Sequence, residues 1–248
     1  MKTLHIDIET SPNLAYVWGL FKQNVGLNQI VKPARMICAS YAWEFDDTEF
    51  VAEWQKGGRR RMLRTLHDAL AEADAVVHYN GKSFDTPHIF REFVEHGFGP
   101  PAPFAQIDLY QAVKRNFRFA SGKLAHVAEA LELDGGKLAT DMTLWTRVLE
   151  GDAEARAEME AYNRRDVVLL QDLYDRILPW IPGHPNVGLY DDTVEPACTK
   201  CGSANVIKNG RAFTSAGAFQ RYQCRDCGAW SRGFRRDATT PLRSAVIA

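Results

Sequence analysis

No stretch of the 248-residue chain reaches 18 uninterrupted apolar residues, and no lysine-rich segment leads into an apolar run near Met1. The first absence argues against a membrane-spanning helix and the second against secretion, so the expected location is cytoplasmic and no membrane partner is expected. Tandem repeats and low-complexity segments are also lacking. Cysteine is scarce over most of the chain: Cys38 stands alone, and the other four fall in the last 51 residues. Nothing in that usage asks for an oxidising compartment. Excess charge of either sign is missing as well, since the net charge is -1.

That balance averages two unlike regions. Residues 196–248 hold nine Lys or Arg against two acids, a charge of +7, whereas residues 1–195 carry -8. An acidic body with a basic tail suits a metal site joined to a polyanion-binding module. The length allows one large core plus a small appendage. Apolar content of 46% and charged content of 25% are ordinary for a soluble protein.

The period of the apolar residues sets the elements. LHIDIE alternates and reads as a first strand, LAYVWGL as a second, MICASYAWEF as a third and TEFVAEW as a short edge strand. Residues 59–73 have helical spacing, with Leu63, Leu66, Leu70 and Ala73 on one face, and AVVHYN reads as a buried strand. A helix is expected to start near Asp85. Others follow Asp108 and Ser121, and the longest pattern covers 154–178, ended by Pro179. The expected architecture is α/β, a mixed sheet with helices packed on it. Residues 1–178 form the main domain, a Pro-rich linker covers 179–195, and a basic module covers 196–248.

Four acids and one tyrosine carry the chemistry of the main domain. Asp7 and Glu9, two apart on a strand, point to one side. Tyr162 and Asp166, four apart on a helix, share a face. If the fold brings these together with Asp85, the convergent carboxylates repel unless cations neutralise them. Hard oxygen donors in that number call for Mg2+ or Mn2+, and two such ions serve phosphodiester hydrolysis. Asp7 is then the natural bridging ligand, with Glu9 and Asp166 completing one metal and Asp85 serving the other. A phenol with an ordinary pKa near 10 is a poor general base, so Tyr162 is expected to position the attacking water.

Asp7-x-Glu9-Thr10, Asn80-Gly81-x-x-Phe84-Asp85 and Tyr162-x-x-x-Asp166 resemble the three exonuclease motifs of the DEDD superfamily, in its tyrosine branch. The resemblance covers about residues 1–178 and is strongest to the proofreading domain of family B DNA polymerases and related ribonuclease H-like proteins. It implies a ribonuclease H-like sheet and stepwise 3'-to-5' release of nucleoside monophosphates. Asp7, Glu9, Asp85 and Asp166 become metal ligands and Tyr162 orients the nucleophile. It also implies that Thr10 lies near the terminal nucleotide, Asn80 contacts the substrate strand and Phe84 supports Asp85. His126 ranks below Tyr162, because it faces the apolar side of its own helix. No polymerase fits after residue 178, so a free-standing exonuclease is expected, with single-stranded DNA favoured over RNA. A structure-selective endonuclease, an RNA exonuclease and a binding adaptor with a degenerate site are the alternatives.

Cys198-x-x-Cys201 and Cys224-x-x-Cys227 are spaced as ligands of one structural Zn2+, since four thiolates close a tetrahedron. Gly202 and Gly228 follow each pair, allowing tight turns that aim backbone N–H groups at sulfur. The module resembles a zinc ribbon, with strands expected at Asn205–Lys208 and Phe219–Gln223 and glycine turns at Gly210 and Gly217. So small a unit needs metal for much of its folding free energy. Arginine interleaved with aromatics fits a nucleic-acid surface, with Arg232, Arg235 and Arg236 as phosphate contacts. A replication or repair protein docked by the ribbon is the competing partner.

Overall fold

The computed structural model describes residues 1–133, 140–190 and 196–242. Part of the expected linker, 191–195, and the end of the basic module, 243–248, lie outside the described residues. Two compact units emerge, one spanning Lys2–Asp175 and a smaller one from Arg176 onward.

The larger unit is built on β1 (Thr3–Thr10), the middle strand of a five-stranded sheet. On one side β1 pairs antiparallel with β4 (Met36–Trp43), which pairs with the edge strand β5 (Glu49–Ala52). On the other it runs parallel to β6 (Ala75–His78), beside β7 (Ala105–Asp108). The order β5-β4-β1-β6-β7 is therefore mixed, as expected from the sequence.

Alternation along β1 assigns its two faces. Leu4, Ile6 and Ile8 pack with Met62, Leu63, Leu66 and Leu70 of α1 (Gly58–Glu72) and Ile89 and Phe93 of α2 (Asp85–Glu95). Each fully buried leucine there contributes roughly 2–3 kcal/mol of apolar transfer. His5, Asp7 and Glu9 face the opposite way, toward α6 (Ala153–Ile177). On that side His5 meets the ring of Tyr174 edge-on at 5.2 Å. Cys38, opposite Glu9 in register, packs there with Leu144 and Val148 of α5 (Met142–Glu150) and with Met159 and Tyr162. Burial, followed by the nearby Glu9 and Asp7 charges, pushes the Cys38 thiol well above its ordinary pKa. It behaves as the buried strand residue expected.

An ion network centred on the buried Glu92 ties this core together. Glu92, 1% exposed on α2, accepts from Met36 N at 2.9 Å and from Arg59 Nη1 at 2.6 Å. Arg59 also pairs with Glu53, which Arg35 reaches at 2.8 Å. Periodicity does not reveal this network, because its charges lie on α1, on α2 and on the segments just before β4 and just after β5.

Several elements differ from the sequence reading. Only Leu14–Ala15 (β2) of LAYVWGL is strand, paired with Ile30–Lys32 (β3) outside the main sheet. β1 is paired with β4 along one edge and with β6 over Thr3–His5 on the other, and this apolar run pairs with neither edge of the main sheet. Trp18 and Phe21 stand 100% and 85% exposed. β4 stops at Trp43, because Phe45 adopts φ 73° in the turn to β5. The helix expected after Ser121 starts at Leu124 (α4, Leu124–Ala130), and Ser121 Oγ accepts from Lys123 N before it. β7 and α5 were not anticipated. AQID is too short to show a period, and α5 is distinguished by its Asp141 cap on Thr143 N. Asp108 caps α3 (Leu109–Asn116) through Gln111 N, and α6 ends at Ile177 as Pro179 enters a 3-10 turn.

In the smaller unit β8 (Val206–Thr214), β9 (Gly217–Cys224) and β10 (Trp230–Ala238) form an antiparallel sheet in the order β10-β9-β8. The strands are longer than expected and there is a third. Gly210, with φ 70°, lies within β8 at a register shift between Lys208 and Arg211, not at a turn. A bulge absorbs the glycine without ending the strand. No helix among the described residues is long and apolar enough to cross a membrane.

Candidate metal centres

Asp7 and Glu9 project from β1, and Asp166 comes from the helix laid over that face. Their carboxylate oxygens lie within 4.8 Å of one another. Asp166, 157 positions after Glu9, meets the two β1 acids because α6 crosses the acidic side of β1. At 4.8 Å two such charges repel by about 3–4 kcal/mol at an effective dielectric of 20. A cluster of this kind is a fit for hard divalent cations, which neutralise the repulsion and prefer oxygen donors. Asn163, fully buried and three residues before Asp166, donates from Nδ2 to Asp7 Oδ2 at 2.6 Å. It fixes the Asp7 carboxylate and was missed, although its i, i+3 spacing to Asp166 places it on the same side of α6. Tyr162, 5% exposed, meets the ring of Trp145 edge-on at 6.1 Å.

Asp85 lies outside this set of three and is held to β1 in another way. β6 pairs with β1 only over Thr3–His5, so beyond that point the edge of β1 has no strand partner there. Ile8, between the two acids, donates its N–H to Asp85 Oδ1 at 3.2 Å. Burial pushes the Asp85 pKa up to about 7, with Asp108 adding to the rise while backbone N–H groups of Asp85 and Ile8 oppose it.

The turn that launches Asp85 is bolted from below. Asn80 takes φ 68° and its N–H donates to Asp108 Oδ1 at 3.0 Å. Gly81 N–H donates to His78 Nδ1 at 3.0 Å, which leaves the ring proton on Nε2 to donate to Gln106 Oε1 at 3.2 Å. His78 is thus neutral in its hydrogen bonding. Burial lowers its pKa accordingly, despite the Asp108 charge. Asp108 serves as cap and anchor and is not part of the acidic cluster. Neither His78 nor Gln106 stood out in the sequence; the one signal was a polar residue ending an apolar strand directly before the Asn80–Gly81 turn.

The residues expected to touch substrate are spread around this centre. Thr10 follows a bulge at the end of β1 and lines a cavity of about 400 Å3 with Pro12, Met142 and Trp145. Phe84 is 40% exposed and packs its ring against His88 at 4.7 Å, while Asn80 is half-buried in its turn. His126 is half-buried on α4 beside the fully buried Val127 and Ala128.

In the smaller unit Cys198, Cys201, Cys224 and Cys227 bring their sulfurs within 4.8 Å of one another. Cys198 and Cys227 are 3.5 Å apart, Cys201 and Cys224 3.7 Å. Disulfide sulfurs sit at about 2.05 Å. Four thiolates around Zn2+ at about 2.3 Å lie roughly 3.8 Å apart, so the donor set fits that ion. Gly202 and Gly228 take φ 74° and 79° and donate N–H to the carbonyls of Cys198 and Cys224. These are the two tight turns expected, and Lys200 N–H reaches Cys198 Sγ at 3.4 Å. Burial favours the neutral Cys224 thiol, but N–H groups of Cys227 and Asp226 together with the Cys201 and Cys227 side chains bring its pKa down to about 7.

A mixed sheet with acids on its central strand, completed by a helix across that face, is a nuclease type of fold. The chain belongs to the RNase_H superfamily, whose family model matches residues 4–178. Among solved structures it is similar to the family B DNA polymerase from the hyperthermophilic archaeon Pyrobaculum calidifontis, with a TM-score of 0.54 and 18% identity. That match covers 72% of this chain and 24% of the polymerase, so the chain spans about a quarter of its length. No curated protein matches.

Proposed function

We propose that the chain is a divalent-metal-dependent 3'-to-5' exonuclease of the DEDD tyrosine branch, acting on nucleic acid and preferring single-stranded DNA. The observation that carries this reading is the convergence of Asp7, Glu9 and Asp166 on one face of β1, with Asp85 docked against the backbone between the first two. Asp7, Glu9, Asp85 and Asp166 would hold two Mg2+ or Mn2+ ions. When bound, such ions make water nucleophilic and neutralise charge on the phosphate and the departing oxygen.

The protein's own residues then have separate tasks. Asn163 keeps Asp7 from rotating. Tyr162, one helical turn before Asp166 and braced by Trp145, directs its hydroxyl to orient the attacking water. Thr10 borders the cavity that receives the terminal nucleotide. Asn80 and Phe84 lie along the approaching strand, with Phe84 available for stacking on a base. Cys198, Cys201, Cys224 and Cys227 would hold a structural Zn2+ that organises the ribbon, and Arg232, Arg235 and Arg236 contact phosphates. Residues 1–178, 179–195 and 196–248 act as exonuclease domain, linker and basic ribbon in the cytoplasm.

The test is incubation of single-stranded DNA and RNA, labelled at either end, with Mg2+ or Mn2+. A 5' label retained on a descending ladder, faster on DNA, is expected. Early internal fragments, or loss of the 5' label first, would refute directional trimming.

A further inference from the structure

One face of the ribbon sheet separates its arginines in a way the sequence does not reveal. Arg232 of β10 lies directly opposite Arg221 of β9, and Arg236 lies opposite Phe219. Phe219 and Arg221, two apart on β9, share one face with these partners. Like charges directly opposed across a ladder are destabilising. Here each guanidinium is laid on a ring: Arg221 is 4.7 Å from the Trp230 centroid and Arg232 4.7 Å from that of Phe219. Each such contact contributes about 0.5–1 kcal/mol at an exposed site and holds the charge in place without neutralising it. Arg221 Nε is further fixed by the Asn209 carbonyl at 2.9 Å.

The acids among the described ribbon residues are too few to balance the three guanidiniums of this face. They are Asp226 and Asp237. Asp226 is engaged by Ser203 and by Asn205 Nδ2 at 2.7 Å. Asp237 follows Arg236 at a register shift between Arg236 and Ala238, and it lines one cavity together with Arg232. The complement to a pair of fixed, ring-stacked guanidiniums is an anion shared between them. Trp230, 49% exposed beside Arg221, adds a surface on which an unpaired base stacks. We infer that the Arg221–Arg232–Arg236 face, with Phe219 and Trp230, binds the phosphodiester backbone of single-stranded nucleic acid. Arg221 joins Arg232 and Arg236 of the phosphate contacts expected from the sequence on this face, and Arg235, adjacent to Arg236, is a further contact outside it. The inference rests on the proposed reading in taking nucleic acid as the ligand, and does not depend on hydrolysis.

Lys208 and Arg211 pair with Tyr222 and Gln220 and so belong to the opposite face, which makes them a charge-matched control. The experiment is fluorescence anisotropy of a labelled oligothymidylate with the full chain in calcium buffer across a salt series. Zinc content is measured for every variant. Arg221→Gln/Arg232→Gln is expected to reduce the slope of log affinity against log salt by roughly 1.4, at about 0.7 per single-strand phosphate contact. Lys208→Gln/Arg211→Gln is expected to change it by less than half as much. Equal effects of the two pairs would reduce the face to net charge, and an unaltered slope for the arginine pair would leave it a protein-docking surface; either result overturns the inference. If the arginine pair loses zinc, each single glutamine substitution carries the same test at about half the shift. Manganese-dependent degradation of the same oligonucleotide is a separate readout. Face-specific binding without degradation would sink the proposed nuclease activity and leave this inference standing.

Discussion

Gly81→Ala is the sharpest perturbation of the turn that delivers Asp85. A Cβ built on Gly81 would fall 2.4 Å from His78 Cγ and 2.7 Å from both Cβ and Nδ1 of that residue. Real side chains do not tolerate such approaches, and His78 cannot swing aside. It is fully buried and bonded to Gln106 on one side of its ring and to Gly81 N–H on the other. Relief therefore requires the turn to move by about 1 Å, breaking the Gly81–His78 bond. Overpacking contributes about 1–3 kcal/mol, and a buried partner left unsatisfied about 1–3 kcal/mol more. The variant is expected to be about 2–6 kcal/mol less stable in urea denaturation. Asp85 begins its helix four residues later, so a displacement of that size is also expected to lower hydrolysis of a labelled oligonucleotide by about 100-fold. Stability within 0.5 kcal/mol of the parent, which is about the scatter of a neutral surface change, would refute the steric argument. Normal stability with a large rate loss would place Gly81 in substrate contact instead.

Asp7→Ala is expected to abolish degradation while affinity for single strands stays within about threefold; a parallel loss of binding would contradict the separation of chemistry from grip. Tyr162→Phe removes one hydroxyl and should lower kcat by about 10- to 100-fold with little change in KM, and an unchanged kcat would remove it from the mechanism. Arg59→Met leaves Glu92, 1% exposed, without its closest cation, and is expected to cost about 3–5 kcal/mol in urea melts. A neutral outcome would mean that Arg91, 3.4 Å from the same carboxylate, takes over. Stripping zinc with a chelator should erase amide protection across β8, β9 and β10 in hydrogen exchange while β1 and β4 keep theirs. Retained protection in the ribbon would show that it folds without metal.

The pairing of Asp7 with Glu9, of Tyr162 with Asp166 and of the cysteines within each C-x-x-C was legible as a placement, because short-range geometry decides which neighbours share a side. Two positions on a strand, four on a helix and a C-x-x-C turn each place side chains together wherever the element lies. The mixed sheet was legible for the same reason, since the alternation of LHIDIE and the continuous run AVVHYN are local properties. LAYVWGL misled because an apolar alternation states a preference for strand, and only the availability of a ladder partner turns it into one. β7 escaped notice because four residues carry too little pattern to separate a strand from a loop.

Tertiary structure alone decided how far the acids converge. Local rules place Asp7 beside Glu9, but the meeting with Asp166 depends on α6 crossing β1, and the anchoring of Asp85 depends on β6 ending where Ile8 needs an acceptor. Asn163, His78 and Gln106 have roles only in that context, since hydrogen bonds between distant residues leave no periodic trace. The pairing of Arg221 with Arg232 is likewise a matter of register, set by how β9 and β10 align and invisible in their spacing along the chain.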